Sequence, residues 1–221
     1  MTKPWRWGAL VLTLAGCAYT PPSLGESAPA YKDDRQEAAY QQILERYTGR
    51  DELYIGFDTV LFAAATLQTQ AFREARLHRE AIFKALTPER EKELLTRELA
   101  EAAATNEFFL GVHVFNYHYD DFDRADSIWN MVMVTPEGEA RPVSVERVGR
   151  ANLEMRAYYP YMGTFWVAYR VRFPFTFANG QPVILASTER VVLRLASSLG
   201  RVEMRVHAHE APKESSGLPR P

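Results

Sequence analysis

The sequence predicts a mainly β protein with some helix: an immunoglobulin-like antiparallel β-sandwich with a helical hairpin inserted after its first strand. Two observations lead to this prediction. Apolar and polar residues alternate through much of residues 107–206, interrupted by turn-forming residues, as in half-buried antiparallel strands. Residues 69–104 instead repeat their apolar residues at helical spacing. The alternative is an α+β fold in which the helices cover one open sheet.

The folded part is predicted to begin with a helix and a strand. Residues 33–48 carry apolar residues at helical spacing, and Thr48-Gly49 ends the predicted helix. Residues 53–66 combine strand-favouring residues such as Tyr54 and Val60 with a run of three alanines. The strand-favouring residues predominate there, so the sequence predicts one long strand.

The inserted hairpin is predicted over residues 69–104, as two helices that meet near Thr87. Thr87-Pro88-Glu89 supplies a capping hydroxyl, a proline for the first helical position and an acid in the first turn. Residues 70–104 carry seven basic and seven acidic side chains. Evenly mixed charge of this kind is typical of a solvated outer face.

The second half of the folded part is predicted to form strands joined by turns. Residues 128–135 and 141–148 flank Pro136-Glu137-Gly138 and are predicted to pair as a β-hairpin. The other predicted strands are 107–115, 153–158, 165–173, 183–195 and 202–206. Residues 33–209 are interpreted as a single domain, and residues 210–221 as a disordered tail. Six arginines on outward strand positions are expected to form cross-strand ion pairs with Glu189 and Glu203: Arg170, Arg172, Arg190, Arg194, Arg201 and Arg205.

The amino-terminal segment carries an export signal. Lys3 and Arg6 precede an apolar run that is too short to span a bilayer, and Leu14-Ala15-Gly16-Cys17 closes the run. This arrangement resembles the signal peptide and lipobox of bacterial lipoproteins. The resemblance implies that residues 1–16 are a removable signal peptide. It also implies that Cys17 carries a diacylglycerol and an N-acyl chain, enough lipid for stable anchoring.

The segment after the predicted anchor is rich in proline, serine, glycine and alanine. Such a composition does not bury enough surface to offset the entropy of ordering, so residues 17–32 are interpreted as a lipidated tether. In many lipoproteins an aspartate after the lipidated cysteine retains the protein in the inner membrane. Ala18 occupies that position here, so the resemblance places the protein in the cell envelope and favours the outer membrane.

Charge and composition narrow the classes of partner. The chain has a formal net charge of −2, and loss of Lys3 and Arg6 leaves 24 basic against 28 acidic side chains, or −4. The lack of a basic block argues against nucleic acid as a partner. Cys17 is the only cysteine, so after lipidation stability would come from packing without a disulfide. The expected non-protein group is the covalent lipid alone, with no other cofactor.

One polar cluster contains residue types that bind divalent metals, since imidazole and carboxylate are common ligands. Its members are His113, His118, Asp120, Asp121 and Asp123. The segment lacks the glycine that the sharp turn of an EF-hand loop requires. The sequence thus leaves two interpretations: a metal site of a metal-assisted hydrolase, or an acidic loop between two strands.

An aromatic cluster surrounds Pro160 and has two interpretations, an interaction surface or part of a core. Its members are Tyr158, Tyr159, Tyr161 and Trp166.

No serine-nucleophile, phosphate-loop or dinucleotide motif is found in the sequence. The predicted function is therefore a non-enzymatic envelope lipoprotein that binds another envelope protein or supports an assembly. The alternatives are the metal-assisted hydrolase and a carrier of an apolar ligand, in a pocket lined by Phe72, Phe83 and Leu99.

Overall fold

The computed structural model describes residues 34–210. The predicted signal peptide, Cys17, the tether and residues 211–221 lie outside this range. The helices of the described part are α1 (Asp34–Tyr47), α2 (Gln70–Phe83), α3 (Pro88–Ala102) and α4 (Leu153–Tyr158). Its strands are β1 (Thr48–Ile55), β2 (Asp58–Leu67), β3 (Thr105–Val114), β4 (Asn130–Thr135), β5 (Gly138–Ala140), β6 (Ser144–Arg150), β7 (Val167–Pro174), β8 (Arg190–Ser197) and β9 (Gly200–His207).

The strands form two antiparallel sheets. The first has five strands in the order β1-β2-β3-β7-β6, and the second has four in the order β5-β4-β8-β9. Alternate residues of both sheets meet in one apolar cluster, which includes Leu110, Val171, Leu193 and Met204. We call this cluster the sheet–sheet core. The mainly antiparallel β architecture with helices is confirmed.

The helices cover the other face of the five-stranded sheet. A second buried cluster lies between them and the sheet, and we call it the sheet–helix core. It consists of Tyr40, Leu44, Tyr47, Ala64, Phe72, Tyr158, Tyr159, Tyr161, Met162 and Ala168. The five-stranded sheet therefore packs against the four-stranded sheet on one face and against the helices on the other. A sheet covered by helices is the feature that the α+β alternative predicted.

Side-chain caps fix where the helices begin. The Thr87 hydroxyl accepts from the Arg90 backbone N–H, and Pro88 occupies the first turn, as predicted for α3. The Thr69 hydroxyl accepts from Phe72 N–H in the same way and starts α2. Each cap satisfies a backbone donor that the helix leaves free. The predicted helical hairpin is confirmed.

The prediction of one strand over residues 53–66 is wrong. β1 and β2 form a hairpin there, with a two-residue turn at Gly56-Phe57 between Ile55 and Asp58. Gly56 adopts a positive φ of 63°, which glycine tolerates at no steric cost. The helical hairpin consequently follows the second strand and not the first.

Three other strand predictions need correction. Residues 153–158 form helix α4, because the Asn152 side chain accepts from Met155 N–H and caps a helical turn. β4 pairs with the short strand β5, whereas β6 leaves the hairpin and pairs with β7 in the other sheet. In the region predicted as strand 183–195, the regular strand is Arg190–Ser197.

The two sheets come closest where β1 crosses β9. A Cβ built on Gly49 would lie 2.6 Å from the backbone nitrogen of Arg205. Beside this contact, the Glu203 backbone N–H donates to Asp51 Oδ2 at 2.7 Å. The missing side chain at Gly49 thus permits a backbone approach that joins the edges of the two sheets.

Candidate functional site

A cleft of about 790 Å³ lies between the helical hairpin, α4 and the outer face of β3 and β7. Ten charged side chains dominate its lining, and we call it the charged cleft. They are Arg73, Arg76, Glu80, Arg97, Glu98, Glu101, Glu107, Glu154, Arg170 and Arg172. Five guanidinium groups thus face five carboxylates, and the lining is formally neutral.

Glu107 is the centre of the sheet side of the charged cleft. It lies opposite Arg172 in the β3–β7 register, and Arg172 Nε donates to Glu107 Oε2 at 2.9 Å. Arg170 Nε and Arg73 Nη2 each lie 3.5 Å from Glu107 Oε1. The Arg73 side chain comes from α2 and is almost fully buried. One carboxylate therefore ties three arginines from the sheet and a helix together.

Glu98 plays the same part on the helix side. Arg76 of α2 donates to both of its carboxylate oxygens, and Arg73 Nη1 lies 3.9 Å from Glu98 Oε2. Arg73 therefore bridges Glu98 and Glu107. Burial alone would lower the pKa of Arg76, but the carboxylates of Glu98 and Glu80 outweigh it, so the pKa is raised and the guanidinium stays charged.

The floor of the charged cleft is aromatic. The Tyr159 ring stacks on Phe109 of β3, with centroids 3.8 Å apart and planes at 9°. The Tyr159 hydroxyl donates to Gln68 Oε1 at 3.2 Å, and burial raises its pKa to about 12. The phenol is therefore neutral at physiological pH and provides a fixed surface beneath the ionic network.

The arrangement is suited to recognition. Among the described residues the lining includes no serine, cysteine or histidine, and the buried guanidinium and carboxylate groups are paired with one another. At the rim, Arg97 and Glu101 lie one turn apart on α3, and neither forms an ion pair within residues 34–210. These two side chains offer one free charge of each sign to a polar ligand.

The residues of the predicted metal site are dispersed. His113 lies on the outer face of β3, where its ring stacks on Phe62 and meets Phe115 in an edge contact. Asp120 lies toward the opposite face, where Arg147 Nη2 and the Tyr169 hydroxyl each donate to it at 2.8 Å. Within residues 34–210, no group of three or more His, Cys, Asp or Glu side chains is placed to hold a metal ion.

The remaining members of that predicted site have other contacts or face solvent. His118 packs against the ring of Tyr117. Asp121 Oδ1 accepts from the Ser127 hydroxyl at 3.0 Å, and Asp123 is exposed. This segment has the features of the acidic loop that the sequence left as the second interpretation.

The aromatic cluster around Pro160 belongs to the sheet–helix core. Tyr158, Tyr159 and Tyr161 are only 5–6% exposed, and Trp166 is half-buried. The chain crosses the outer sheet face at this point, and Gly111 leaves room for Met162 and Trp166 because it lacks a side chain. The predicted interaction surface is therefore corrected to core packing for the three tyrosines.

Sequence reasoning missed the charged cleft, because the charges of residues 70–104 were assigned to a solvated face. Arg73, Arg76 and Glu80 recur at spacings of three and four along α2, which places them on one stripe. The stripe indicates from sequence alone that these charged side chains share one face of α2. Their partner Glu107 is distant in sequence, and only the fold reveals the pairing.

None of the helices in residues 34–210 is long and apolar enough to cross a membrane. Comparison with known proteins gives no match, whether to a family model, to a curated protein or to a solved structure.

Proposed function

We propose that this protein is a non-enzymatic lipoprotein of the bacterial cell envelope that binds another envelope protein in its charged cleft. The observation that carries the proposal is the cleft itself: a neutral set of guanidinium and carboxylate groups, most of them paired, above a stacked aromatic floor. Such a set recognises charge and shape.

The exposed charges at the rim of the charged cleft favour a protein as the binding partner. Arg97 and Glu101 present opposite free charges one helical turn apart, while Arg170 and Arg172 remain 39% and 30% exposed beside Glu107. A polypeptide segment with both acidic and basic side chains would complement these groups without needing a net charge of its own.

The anchor comes from the amino-terminal motif. Lipid on Cys17 would hold the domain at the membrane, with the tether of residues 17–32 between them, and Ala18 favours the outer membrane. The immunoglobulin-like relationship is part of the same proposal. It is supported by two packed antiparallel sheets, an architecture well suited to presenting a binding surface.

The two alternative functions have less support. The candidate metal ligands lie on different faces and are engaged elsewhere. Of the residues expected to line a pocket for an apolar ligand, Phe72 is fully buried against Tyr40 and Tyr159, whereas Phe83 is 38% exposed and the two do not line a common cavity in the described residues. Polar recognition in the charged cleft therefore remains the best-supported function.

The anchor is tested by mass spectrometry of the protein purified from membranes. We expect residues 1–16 to be absent and Cys17 to carry the diacylglycerol and the N-acyl chain. The Cys17→Ser variant should accumulate as an uncleaved or soluble form. A bare thiol with the leader still attached would contradict the anchor.

The cleft is tested by site-specific photocrosslinking in intact cells. A photoreactive residue at Arg97 should give a discrete adduct with one envelope protein, and the added change Glu101→Arg should reduce its yield. The matched control is Arg205, an exposed arginine on β9 of the other sheet. Equal adducts from both positions, or none from Arg97, would overturn the proposed site.

A further inference from the structure

Six of the thirteen exposed large apolar side chains of the described residues lie at one end of the five-stranded sheet. Ile55 ends β1 and Phe57 lies in the β1–β2 turn. Phe115 and Tyr117 follow β3, Phe165 precedes β7, and Leu153 follows β6. The strand registers place these four chain segments at the same end. Leu61, near the start of β2, pairs with Val114 at the end of β3. Val167, at the start of β7, pairs with Val112 of β3 and with Arg150 at the end of β6. We call these six residues the apolar end.

The side chains of the apolar end protrude from separate segments. Phe57 is fully exposed at 106%, Leu153 is 82% exposed and Tyr117 is 77% exposed. At the opposite end of the same sheet, the exposed large apolar side chains of the described part are Val143 and Phe175. Exposed large apolar side chains are therefore more numerous at the apolar end than at the opposite end of the same sheet.

The chemistry of the apolar end favours a fluid apolar medium over a shaped protein partner. Phe57 and Phe115 line one pocket together, but six side chains from four separate segments do not form the large continuous surface of a stable protein interface. Exposed aromatic and aliphatic side chains are typical of segments that enter the membrane interface. Residues 54–58 and 114–118 contain no lysine or arginine, and Asp58 is their one acidic residue, whereas Arg150 and Arg156 flank Leu153. The segments that carry Phe57 and Phe115 therefore offer no lysine or arginine to anionic headgroups, and their affinity for the bilayer would come from burial of apolar surface.

The length of the chain before α1 permits this contact. Sixteen residues, 18–33, separate Cys17 from α1 and span at most about 55 Å when extended. A compact body of the described length is about 40 Å across. A chain anchored at Cys17 therefore reaches far enough for either end of the sheet to face the bilayer, and the anchor raises the local concentration of lipid around the domain.

We propose that the apolar end inserts its side chains into the interface of the bilayer that carries the lipid anchor, which orients the domain. This inference rests on the proposed lipid anchor. The charged cleft opens between the helical hairpin and the outer sheet face, so the inserted end would fix the direction in which the cleft is presented to its partner.

The test uses the lipidated protein reconstituted in phosphatidylcholine vesicles. Because Cys17 is the only cysteine, lipidation leaves no free thiol, and an introduced cysteine is labelled uniquely. Phe57→Cys and the matched control Val143→Cys each receive a polarity-sensitive fluorophore, and both native side chains are exposed. We expect a blue-shifted emission and quenching by nitroxide-bearing lipid at position 57 only, unchanged by high salt.

A second variant separates insertion from an effect of the label. With the fluorophore at Phe115→Cys, the added change Phe57→Ser should lower the ratio of inserted to free label about tenfold, since one large apolar side chain no longer enters the interface. The added change Phe175→Ser should leave that ratio unchanged.

Each other outcome overturns the inference. Vesicle-bound protein with no quenching at position 57 leaves the anchor in place and rejects the inserted end. Equal quenching at positions 57 and 143 rejects a preferred orientation. A blue shift at position 57 that depends on protein density, without lipid quenching, indicates a second copy of the chain as the occupant. Labelling of the unmodified chain shows a free Cys17 thiol and rejects the anchor together with this inference.

Discussion

The sheet–sheet core and the sheet–helix core share the five-stranded sheet but are built differently. The sheet–sheet core is largely aliphatic and draws buried residues from seven strands. The sheet–helix core is rich in tyrosine and encloses a charged residue, Arg79, whose side chain is fully buried. The first depends on apolar packing, whereas the second depends on packing together with satisfied polar groups.

Hydrogen bonds between distant residues hold the sheet–helix core together. The Tyr40 hydroxyl donates to the Tyr158 carbonyl at 2.7 Å. Arg79 Nε donates to the Ala157 carbonyl at 2.9 Å and Arg79 Nη1 to Glu37 at 2.7 Å, while its guanidinium lies 4.3 Å from the centre of the Tyr40 ring. One side chain thus joins α1, α2 and α4, and the comparison teaches that the helical layer depends on specific polar partners.

The largest expected effect comes from breaking that junction. Arg79→Met should lower the free energy of unfolding by about 3–5 kcal/mol, because it removes the arginine that pairs with the Glu37 carboxylate and the side-chain donor to the buried Ala157 carbonyl. Urea denaturation of the full chain measures the loss. The control is the double variant Arg79→Met with Glu37→Leu, which removes both charges and should recover much of the stability. Equal losses in the single and double variants would show that packing, and not the ion pair, determines the effect.

A smaller effect is expected where β1 touches β9. Gly49→Ala should cost about 1–3 kcal/mol of unfolding free energy, because the new Cβ meets backbone atoms that have no room to move. Thermal unfolding compares it with Gly111→Ala, whose Cβ would lie 3.2 Å from the side chains of Met162 and Trp166. Those side chains adjust, so the cost should be lower. The reverse order would mean that the contact between the sheets is less rigid than the sheet–helix core.

The sheet–sheet core was the more predictable of the two. Alternation correctly located β3, β7 and β9, since each strand buries one face and leaves the other polar or helix-covered. The turn at Gly56-Phe57 was missed because strand-favouring residues continue on both sides, and a phenylalanine is not a usual turn residue. Helix α4 was missed because six residues are too few to establish a period.

The sheet–helix core and the charged cleft were not predictable at the level of contacts. Charge in α2 was expected to face solvent, but Arg73 and Arg79 are 4% and 0% exposed. Their partners Glu107 and Glu37 lie on other elements, and sequence spacing carries no information about pairs formed across the fold. Of the predicted cross-strand ion pairs, that of Arg194 with Glu203 is confirmed. Arg201 and Arg205 also pair with Glu203 but lie on its own strand. The prediction is wrong for Arg170 and Arg172, which pair with Glu107 and Glu146.

The dependence of the sheet–helix core on polar groups also predicts a response to high pH. Burial raises the pKa of Tyr159 to about 12, above the value near 10 for an exposed tyrosine. Between these values the unfolded chain releases the proton and the folded chain keeps it, so stability is full below pH 10 and falls as pH rises toward 12. Tyr159 alone would contribute a loss of about 2–3 kcal/mol.

Tyr159→Phe isolates this contribution. At pH 7 the variant should be less stable than the unmodified protein by about 1 kcal/mol, because the hydrogen bond to Gln68 is lost. At pH 12 the difference should vanish or reverse, since the variant has no phenol to ionise on unfolding. Urea titrations at both pH values measure it. A constant difference across this range would contradict the assignment of the alkaline loss to Tyr159.

The smallest change in stability is expected for a substitution at the exposed rim of the charged cleft, in contrast to one in its buried ionic network. Arg97→Ala should alter the unfolding free energy by no more than about 0.5 kcal/mol, because the side chain is exposed and forms no ion pair within residues 34–210. Arg76→Ala should cost several times more, since it leaves Glu98 without its main partner. If the charged cleft recognises a protein, Arg97→Ala should nevertheless weaken binding to the crosslinked partner. If Arg97→Ala changes stability as much as Arg76→Ala, then Arg97 has a structural role, which would contradict its proposed role as a free group that recognises the partner.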